Sequence, residues 1–496
     1  YDLEINNTVL SPADGADVDS DAMKVTGTLT VTDGQFQPAT SSDFVNLTIS
    51  TNGILKPDAS ASIIVSGSWT NSGTFTHNSG TITFDRTGSQ VITNNGTGST
   101  KEFNNVIIDN DESSPADGTD VDSDAIKISG TLTISDGQFQ PATNSDFNNI
   151  TFAANGILKP DASATITVSG TWTNSASGTF THNSGTVKYD GGAQGVASEN
   201  YYNLTADQSG NKTAQGAINV ANDMTISNSA TYLTASYATD VTGATSVSAI
   251  LDVNDGGGEF TSRGGFSATG NINFSGNGIL RFITVSPTSL GTLDNTNGFV
   301  LYKLGADNVL ADNYYNLKVI DNDVYSAQGD INVANNFTLG SASELNLGNN
   351  TFTLTGNADI NGTLDFDNAG FFDANSNFDA TGGTVQFTGT GGILELGGAT
   401  VTSLGTLSEG TGTVDYDYAG GQTVKLRTYY NLRMKGSGTK ITPGSGSTGT
   451  ITVSNDLTID NGVTLDIANG NDNLTIQGDF TNSGTLTATD QTITFS

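Results

Sequence analysis

The chain has 496 residues, with 17 Lys and Arg against 51 Asp and Glu and a formal net charge of −34. Nucleic acid and anionic lipid bind basic patches, so neither is expected as a partner of so acidic a chain. Cys is absent, which excludes a disulfide framework and thiol chemistry. No apolar run approaches the roughly 20 residues of a membrane helix, so membrane insertion is not expected.

A duplication occupies the first part of the chain. Residues 11–69 recur as residues 114–172 at a constant offset of 103 residues, so that Trp69 corresponds to Trp172. Self-similarity at a fixed period is the signature of repeat architectures, in which each unit packs on its neighbours. The expected superrepeats span approximately residues 1–103, 104–201, 202–314 and 315–429, with a partial one at 430–496.

Each copy of the duplication opens with an acidic loop in which Asp alternates with other residues. Alternate Asp residues put carboxylates on one side of an extended loop, and Ca²⁺ takes roughly six to eight oxygen ligands. The loop lacks the Gly and the distal Glu of an EF-hand, so a solvated acidic loop is the competing interpretation. The candidate calcium ligands are Asp17, Asp19 and Asp21 in the first copy and Asp120, Asp122 and Asp124 in the second. No other cofactor and no catalytic residue is predicted.

The two histidines and the two tryptophans are repeat pairs. His77 and His182 lie within the same Thr-His-Asn-Ser-Gly segment, whereas a catalytic His is expected once, beside an acid and a nucleophile. A structural role at a turn is therefore predicted for both. Trp69 and Trp172 could stack on a sugar ring, but packing against the coil is the favoured interpretation.

A looser motif of an aromatic residue, any residue, Asn and an aliphatic residue runs along the whole chain. In a stacked fold such Asn amides can bond to one another and to the turn backbone, as in the ladders of cross-β assemblies. The aromatic side chain two residues earlier points to the same face and could stack likewise. A surface Asn that is merely tolerated at a turn is the alternative. The motif residues are Asn46, Asn105, Asn149, Asn203, Asn316 and Asn431.

A second motif, Gly-Thr-[Ile/Val]-x-[Phe/Tyr], precedes the Asn motif. It begins at Gly80, Gly185 and Gly412, with a degenerate copy at Gly298. From its Gly to the following motif Asn is 18 residues twice and 19 residues once, as from Gly185 to Asn203. A spacing this steady predicts one coil of a helix-like path of strands.

Strict alternation of apolar and polar residues in short pieces predicts half-buried strands, and no stretch has helical spacing. The alternation is plainest over residues 457–486, where Asn-Gly and Asn-Ser-Gly turns separate the pieces. We therefore predict an all-β fold, a right-handed parallel β-solenoid with coils of ~20 residues and superrepeats of ~100 residues, continuous over residues 1–496. Tandem β-sandwich domains are the alternative. The even turns and the absence of Pro-rich linkers favour the solenoid.

These segments resemble a known class of protein. Residues 456–465 and 478–486 look like the coils of filamentous-haemagglutinin-type β-helices, and the Tyr-Tyr-Asn-Leu motif is similar to repeats in very large bacterial surface proteins. The resemblance covers nearly the entire chain. It implies adhesion, construction of a biofilm matrix or a cell-surface fibre, and it carries over no catalytic residue.

The ends of the chain lie within coils. Residue Tyr1 falls inside the Asn motif, and residues 491–496 are a version of the Gly-Thr-Val strand. Because an open solenoid end exposes unpaired backbone groups, the expectation is either end-to-end stacking of copies by strand addition or a window cut from a longer array.

The resulting prediction is a non-enzymatic extracellular or cell-surface fibre or adhesin. Its expected partners are copies of itself, and polysaccharide or a cell surface. The alternative is a polysaccharide-binding or polysaccharide-cleaving β-helix. A lyase of that kind needs basic residues, of which Arg427, Arg433 and Lys435 form the only cluster, and a glycosidase needs two convergent carboxylates. An enzyme should show unrepeated acids and aromatics along one flank, and a fibre should show repeat-equivalent residues on every face.

Overall fold

A computed structural model describes residues 1–7, 18–110, 121–174, 178–254, 256–444 and 449–496. The described residues form 60 short strands and no helix. The strands lie in parallel stacked coils and make a β-solenoid of about 23 turns, with a spacing of ~20 residues from coil to coil. The predicted fold class is confirmed, and antiparallel sandwich domains are not what these residues form.

The strands are numbered in chain order. Strands β1 to β30 are Leu3–Asn6, Val18–Ser20, Lys24–Pro38, Ser42–Leu55, Ser62–Val65, Trp69–Asn71, Thr74–Phe75, Thr81–Phe84, Gln90–Thr93, Asn105–Asp109, Val121–Ser123, Lys127–Pro141, Ser145–Leu158, Thr165–Val168, Trp172–Asn174, Thr179–Phe180, Thr186–Tyr189, Gln194–Val196, Asn200–Tyr201, Asn203–Ala206, Gly210–Ala214, Ile218–Val220, Met224–Ile226, Ala230–Leu233, Ala238–Val241, Thr245–Val247, Ile250–Asp252, Glu259–Ser262, Phe266–Asn273 and Ile279–Ile283. Strands β31 to β60 are Ser289–Leu293, Phe299–Lys303, Asn308–Val309, Asn313–Tyr314, Asn316–Ile320, Val324–Ala327, Ile331–Val333, Phe337–Leu339, Glu344–Asn346, Thr351–Leu354, Ala358–Ile360, Thr363–Asp365, Phe371–Ala374, Phe378–Asp379, Thr384–Gln386, Ile393–Leu396, Val401–Ser403, Thr406–Ser408, Thr413–Tyr416, Gln422–Thr423, Thr428–Tyr429, Asn431–Met434, Gly438–Ile441, Thr450–Val453, Leu457–Ile459, Val463–Asp466, Asn473–Ile476, Phe480–Asn482, Thr485–Thr487 and Ile493–Phe495.

The chain divides into two compact units, Tyr1–Leu251 and Asp252–Ser496. In the first unit, long bent strands run around the corners of a coil. Strand β4 pairs in turn with the three short strands β5, β6 and β7. The ladder between β3 and β4 is interrupted between Val25 and Thr28, and again between Val31 and Asp33. One long strand therefore covers the path that three short strands and their corners cover in the next coil.

In the second unit, a coil is built from three short strands. From β33 to β46, and again from β49 to β57, each strand pairs with the strand three places later, as β33 does with β36, β34 with β37 and β35 with β38. Each coil therefore adds one strand to each of three parallel sheets. The prediction of a single continuous solenoid over the whole chain stays a prediction.

The core of each unit is a stack of inward apolar side chains. In β57, for example, Leu474 and Ile476 are buried while the alternate residues face outward. Alternation with a period of two is what a half-buried strand requires. The two sequence motifs form neighbouring rungs, because Thr186 pairs with Asn203 and Thr413 pairs with Asn431. The prediction that the spacing between the two motifs equals the length of one coil is thus confirmed.

Two motif glycines are fixed by close packing. A Cβ on Gly298 would overlap the Phe274 ring, and this residue also has a φ of +73°. A Cβ on Gly412 would overlap the ring of Phe387. Only Gly fits where the chain passes this close to an aromatic side chain.

Candidate functional site

The structure places only part of the predicted calcium loops. Asp17 and Asp120 lie outside the described residues, and so does the side chain of Asp19. Asp21 and Asp122 are exposed. Within the described ranges no group of three or more His, Asp or Glu side chains is arranged to hold a metal ion. Calcium binding by these loops stays a prediction.

The sixth candidate ligand, Asp124, is engaged with the backbone of the preceding coil. Its carboxylate accepts hydrogen bonds from the N–H groups of Asn94 and Asn95 at 2.7 to 2.9 Å. Two amides directed at one carboxylate make a charge-assisted bond that is stronger than a neutral one. In the structure Asp124 thus connects two coils.

The histidines have the structural role that their duplication predicts. The Nδ1 atom of His77 accepts a hydrogen bond from the backbone N–H of Ser79, and His182 does the same for Ser184, each at 3.1 Å. Asn78 and Ser79 have φ values of 47° and 60°. The ring therefore supports a turn in which two residues adopt the left-handed conformation.

The tryptophans pack into the core, as predicted. Trp69 is fully buried and meets Phe75 edge-on, with ring centroids 5.0 Å apart. Trp172 is 8% exposed and meets Phe180 in the same way at 5.0 Å. Neither indole ring offers a face to a sugar.

The motif Asn residues join successive coils. The Oδ1 atom of Asn316 accepts from Nδ2 of Asn335 at 2.9 Å and from the N–H of Asn336 at 3.2 Å, while its Nδ2 donates to the carbonyl oxygen of Gly298 at 2.8 Å. One amide thus binds the coil before it and the coil after it. The predicted bonding of the motif Asn to a neighbouring Asn and to the turn backbone is confirmed at this position.

The same arrangement recurs in the other superrepeats. The Oδ1 atom of Asn203 accepts from Asn222, and that of Asn431 accepts from Asn455, both at 2.9 Å. In the duplicated region the motif Asn accepts from backbone N–H groups of the next coil, as Asn149 does from Thr171 at 2.9 Å. The Oδ1 atom of these motif Asn residues therefore accepts from the next coil, and each Asn–Asn bond joins only two residues.

Buried tyrosine pairs form a second device, which connects two sides of one coil across its interior. The hydroxyl groups of Tyr302 and Tyr314 are 3.0 Å apart. Tyr314 donates to the carbonyl oxygen of Leu310 at 2.8 Å, and the N–H of Leu310 donates to the hydroxyl of Tyr302 at 3.3 Å. Each pair joins the Tyr that ends the Gly-Thr motif to the aromatic residue of the Asn motif. The equivalent pairs are Tyr189 with Tyr201 at 2.8 Å and Tyr416 with Tyr429 at 3.0 Å.

Burial determines the acid–base behaviour of these tyrosines. Desolvation raises the pKa of Tyr416 to about 12 and holds the pKa of Tyr429 well above its ordinary value. The hydroxyl groups are therefore neutral and act as hydrogen-bond donors and acceptors. In the first superrepeat Phe84 and Phe103 occupy the two positions, with ring centroids 6.3 Å apart. The sequence signal was a Tyr that precedes the motif Tyr by 12 or 13 residues.

A third device is a buried Gln that bonds to two carbonyl oxygens of the preceding coil. Nε2 of Gln422 donates to Leu396 and Gly398, both at 2.8 Å. Gln194 binds Val168 and Gly170 in the same way, at 3.0 and 2.9 Å. These glutamines were not identified from the sequence, although each is the first residue of a short strand, β18 or β50, and follows a Gly-x pair.

A group of charges lies on the outer side of one sheet in the second unit. In register on successive strands are Glu395, Asp415 and Arg433. Lys435 Nζ lies 2.5 Å from Oε2 of Glu395 and 3.6 Å from Oδ2 of Asp417. We call the set the charged face; it comprises Glu395, Asp415, Asp417, Arg433, Lys435 and Asp460.

Most of the charges of this face are paired. Arg433 binds Asp460 through both Nε and Nη2, the latter at 2.8 Å. Asp415 differs, because it is only 3% exposed and its Oδ1 has no hydrogen-bond partner among the described residues. Desolvation raises the pKa of Asp415 to about 6, although Arg433 and Lys435 oppose the rise. Desolvation also raises the pKa of Glu395.

The charged face is repeated only in part: Asp417 recurs as Asp85 and Asp190, and the ion pair of Lys188 with Asp207 occupies the positions of Asp415 and Lys435. The rung of Asp415 and Arg433 corresponds to Lys188 and Thr205 in one superrepeat. The two basic residues of this face stood out in the sequence as a cluster, but its acids did not stand out as an unrepeated group. The members of the face come from strands about one coil apart, and only the register of the sheet brings their side chains together.

Comparison of the chain with protein-family models, with curated proteins and with solved structures finds no match. None of the described residues belongs to a helix long and apolar enough to cross a membrane. The architecture is that of a β-helix repeat protein.

Proposed function

We propose that this chain is a segment of a non-enzymatic structural fibre or adhesin, located outside the cell or on its surface. The observation that carries the proposal is the recurrence of one set of inter-coil hydrogen bonds at equivalent positions of successive superrepeats. Motif Asn amides and buried Gln side chains each join one coil to the next, and buried tyrosine pairs connect two sides of one coil across its interior. A stack reinforced at every superrepeat is suited to resist separation of its coils under tension.

The partners that fit this proposal are further coils of the same kind. Backbone pairing between parallel coils is not specific to sequence, so another copy or another segment of a longer array can continue it by strand addition. The resemblance to filamentous-haemagglutinin-type repeats supports the same role. The net charge of −34 favours solubility and disfavours nucleic acid as a ligand.

Electron microscopy and sedimentation of the purified chain, over a wide range of concentration, test self-assembly. End-to-end stacking predicts filaments whose length grows with concentration and whose width equals that of one chain. Single particles of constant size at every concentration would contradict assembly of this chain with itself and leave the longer array as the form of the fibre.

A polysaccharide-cleaving β-helix is the second candidate, and the charged face favours it. Glu395 and Asp417 lie on either side of Lys435 and are partly exposed, and the position of Glu395 is occupied by Thr167 in another superrepeat. The test is incubation of the chain with acidic and neutral polysaccharides, followed by measurement of new reducing ends. Cleavage that is lost in the Glu395→Gln variant would establish this function. Unchanged polysaccharides would support the structural role.

A further inference from the structure

Two surface grooves, one in each unit, are lined by equivalent residues. The groove of the first unit is lined by Asn200, Asn219, Asp240 and Thr242, among others. The groove of the second unit is lined by Asn313, Asn332, Thr353 and Thr355. Each residue of the second set follows its counterpart by 113 residues, as Asn313 follows Asn200. Every lining residue of one groove has its counterpart in the other. We call them the Asn grooves.

Each groove presents a pair of asparagine side chains in register on neighbouring strands. Asn200 pairs with Asn219 across β19 and β22, and Asn313 pairs with Asn332 across β34 and β37. In both grooves the second Asn donates from Nδ2 to Oδ1 of the first at 3.0 Å. All four side chains are exposed.

The hydrogen bond between the two Asn side chains orients both amides and leaves one amide nitrogen and one amide oxygen of the pair for a ligand. An Asn amide has two donor hydrogens and an acceptor oxygen. Nδ2 of Asn200 and Oδ1 of Asn219 bond to no described residue, and the same holds for Nδ2 of Asn313 and Oδ1 of Asn332. One fixed donor and one fixed acceptor thus lie at the two ends of the bonded amide pair. Hydroxyl groups of a sugar can accept from the one and donate to the other.

An aromatic side chain borders the first groove. The ring of the lining residue His182 lies 5.6 Å from the ring of Tyr202, at an angle of 34°. Both rings are partly exposed. Tyr315 occupies the position of Tyr202 in the second copy of the motif and is also partly exposed. An amphipathic ring beside hydrogen-bonding amides offers a platform for the apolar face of a sugar.

Size and charge narrow the ligand class. The grooves have volumes of about 290 and 140 Å³, below the roughly 300–1,000 Å³ of sites for drug-sized molecules. Such a groove fits one or two rings of a longer chain. Asp240 lines the first groove, and the net charge of the protein is −34, so an anionic ligand would be repelled. From these observations we infer that the Asn grooves are two equivalent binding sites for a neutral polysaccharide. This inference deepens the proposed adhesive function and rests on it.

The fourth superrepeat provides an internal comparison. Thr428 and Thr452 form the rung that corresponds to the Asn pair. A Thr pair has no planar amide with a fixed donor and acceptor. The expected number of sites in the chain is therefore two.

The experiment uses the full chain and titration calorimetry with three neutral hexasaccharides, cellohexaose, mannohexaose and laminarihexaose. At least one of them should bind with two sites per chain. The Asn219→Ala and Asn332→Ala variants should each retain one site, and the double variant should lose binding about tenfold or more at both sites. Asn211→Ala, which removes an exposed Asn from strand β21, is the matched control and should bind as the unmodified chain does. Circular dichroism checks that each variant is folded.

Two results would overturn the inference. One is the absence of binding by all three hexasaccharides while the chain still forms filaments, which would leave the proposed fibre intact and remove only the ligand. The other is binding that the double variant retains, which would place the site elsewhere. If the chain binds a hexasaccharide at two sites but forms no filaments, the inferred grooves are supported and only the proposed self-assembly is contradicted.

Discussion

Replacement of Asp415 by Asn should stabilise the second unit at neutral pH and have little effect in acid. The carboxyl group is 3% exposed, and desolvation raises its pKa from 3.8 to about 6. Because the folded state binds this proton more tightly than the unfolded state, the proton favours folding below pH 3.8. That contribution is lost as the pH rises through about 6. One pKa unit corresponds to about 1.36 kcal/mol, so the ionised carboxylate costs the folded unit roughly 3 kcal/mol above this window.

The assay is urea denaturation and hydrogen exchange of the strand Thr413–Tyr416, each at about pH 4 and about pH 8. The Asp415→Asn variant should gain up to roughly 3 kcal/mol at the higher pH and much less at the lower. Asp490→Asn removes an exposed carboxylate and serves as the control. An Asp415→Asn variant that is less stable than the unmodified chain at pH 8 would refute the reasoning, because ion pairing with Arg433 would then outweigh desolvation.

Three further predictions concern the tyrosine pair, the motif Asn and the acidic loops. Tyr302→Phe should cost about 1–3 kcal/mol in a thermal melt, because it leaves the partly buried N–H of Leu310 without its acceptor; an unchanged melt would mean that this bond contributes nothing. Asn316→Ala should cost a similar amount, about 1–3 kcal/mol, since it removes bonds to the coils on both sides, and it should speed hydrogen exchange in Phe337–Leu339. Removal of calcium with a chelator should lower the melting temperature, and an equal melt with and without chelator would eliminate the predicted loop sites.

The stacked fold was predictable because its signals lie close together in sequence. A strand such as Asn473–Ile476 carries its own alternation of outward and inward residues, and a coil closes within about 20 residues. The spacing from the Gly-Thr motif to the Asn motif gave the length of one coil directly. What the sequence did not reveal was the bending of the long strands Ser42–Leu55 and Ser145–Leu158 around corners. Their polar interruptions were indistinguishable from loops between separate strands.

The hydrogen bonds of the motif Asn residues and of the tyrosine pairs were predictable only in part. The motif Asn was recognised because it recurs beside a fixed aromatic residue. The pairing of Tyr302 with Tyr314 was not recognised, because the aromatic residues of the Asn motif were expected to stack on one another from coil to coil. The hydroxyl groups instead meet across the interior and bind the backbone at Leu310. The bonding partner depends on where the turn brings the carbonyl oxygen, which local pattern does not specify.

The charged face occupies positions at which the solenoid tolerates variation. Thr413 pairs with Asn431 where the two motifs meet on neighbouring strands, and the equivalent pair in another superrepeat is Thr186 with Asn203. This pair of positions therefore keeps its residue types. Two residues further along the same strands, the outward position changes from Lys188 to Asp415. An Asn amide that binds two coils constrains the stack, whereas an outward side chain two residues away touches only its neighbours in the sheet. Repetition therefore reveals the positions that hold the coils together. The residues that distinguish one surface from another become visible only when the register aligns strands a coil apart.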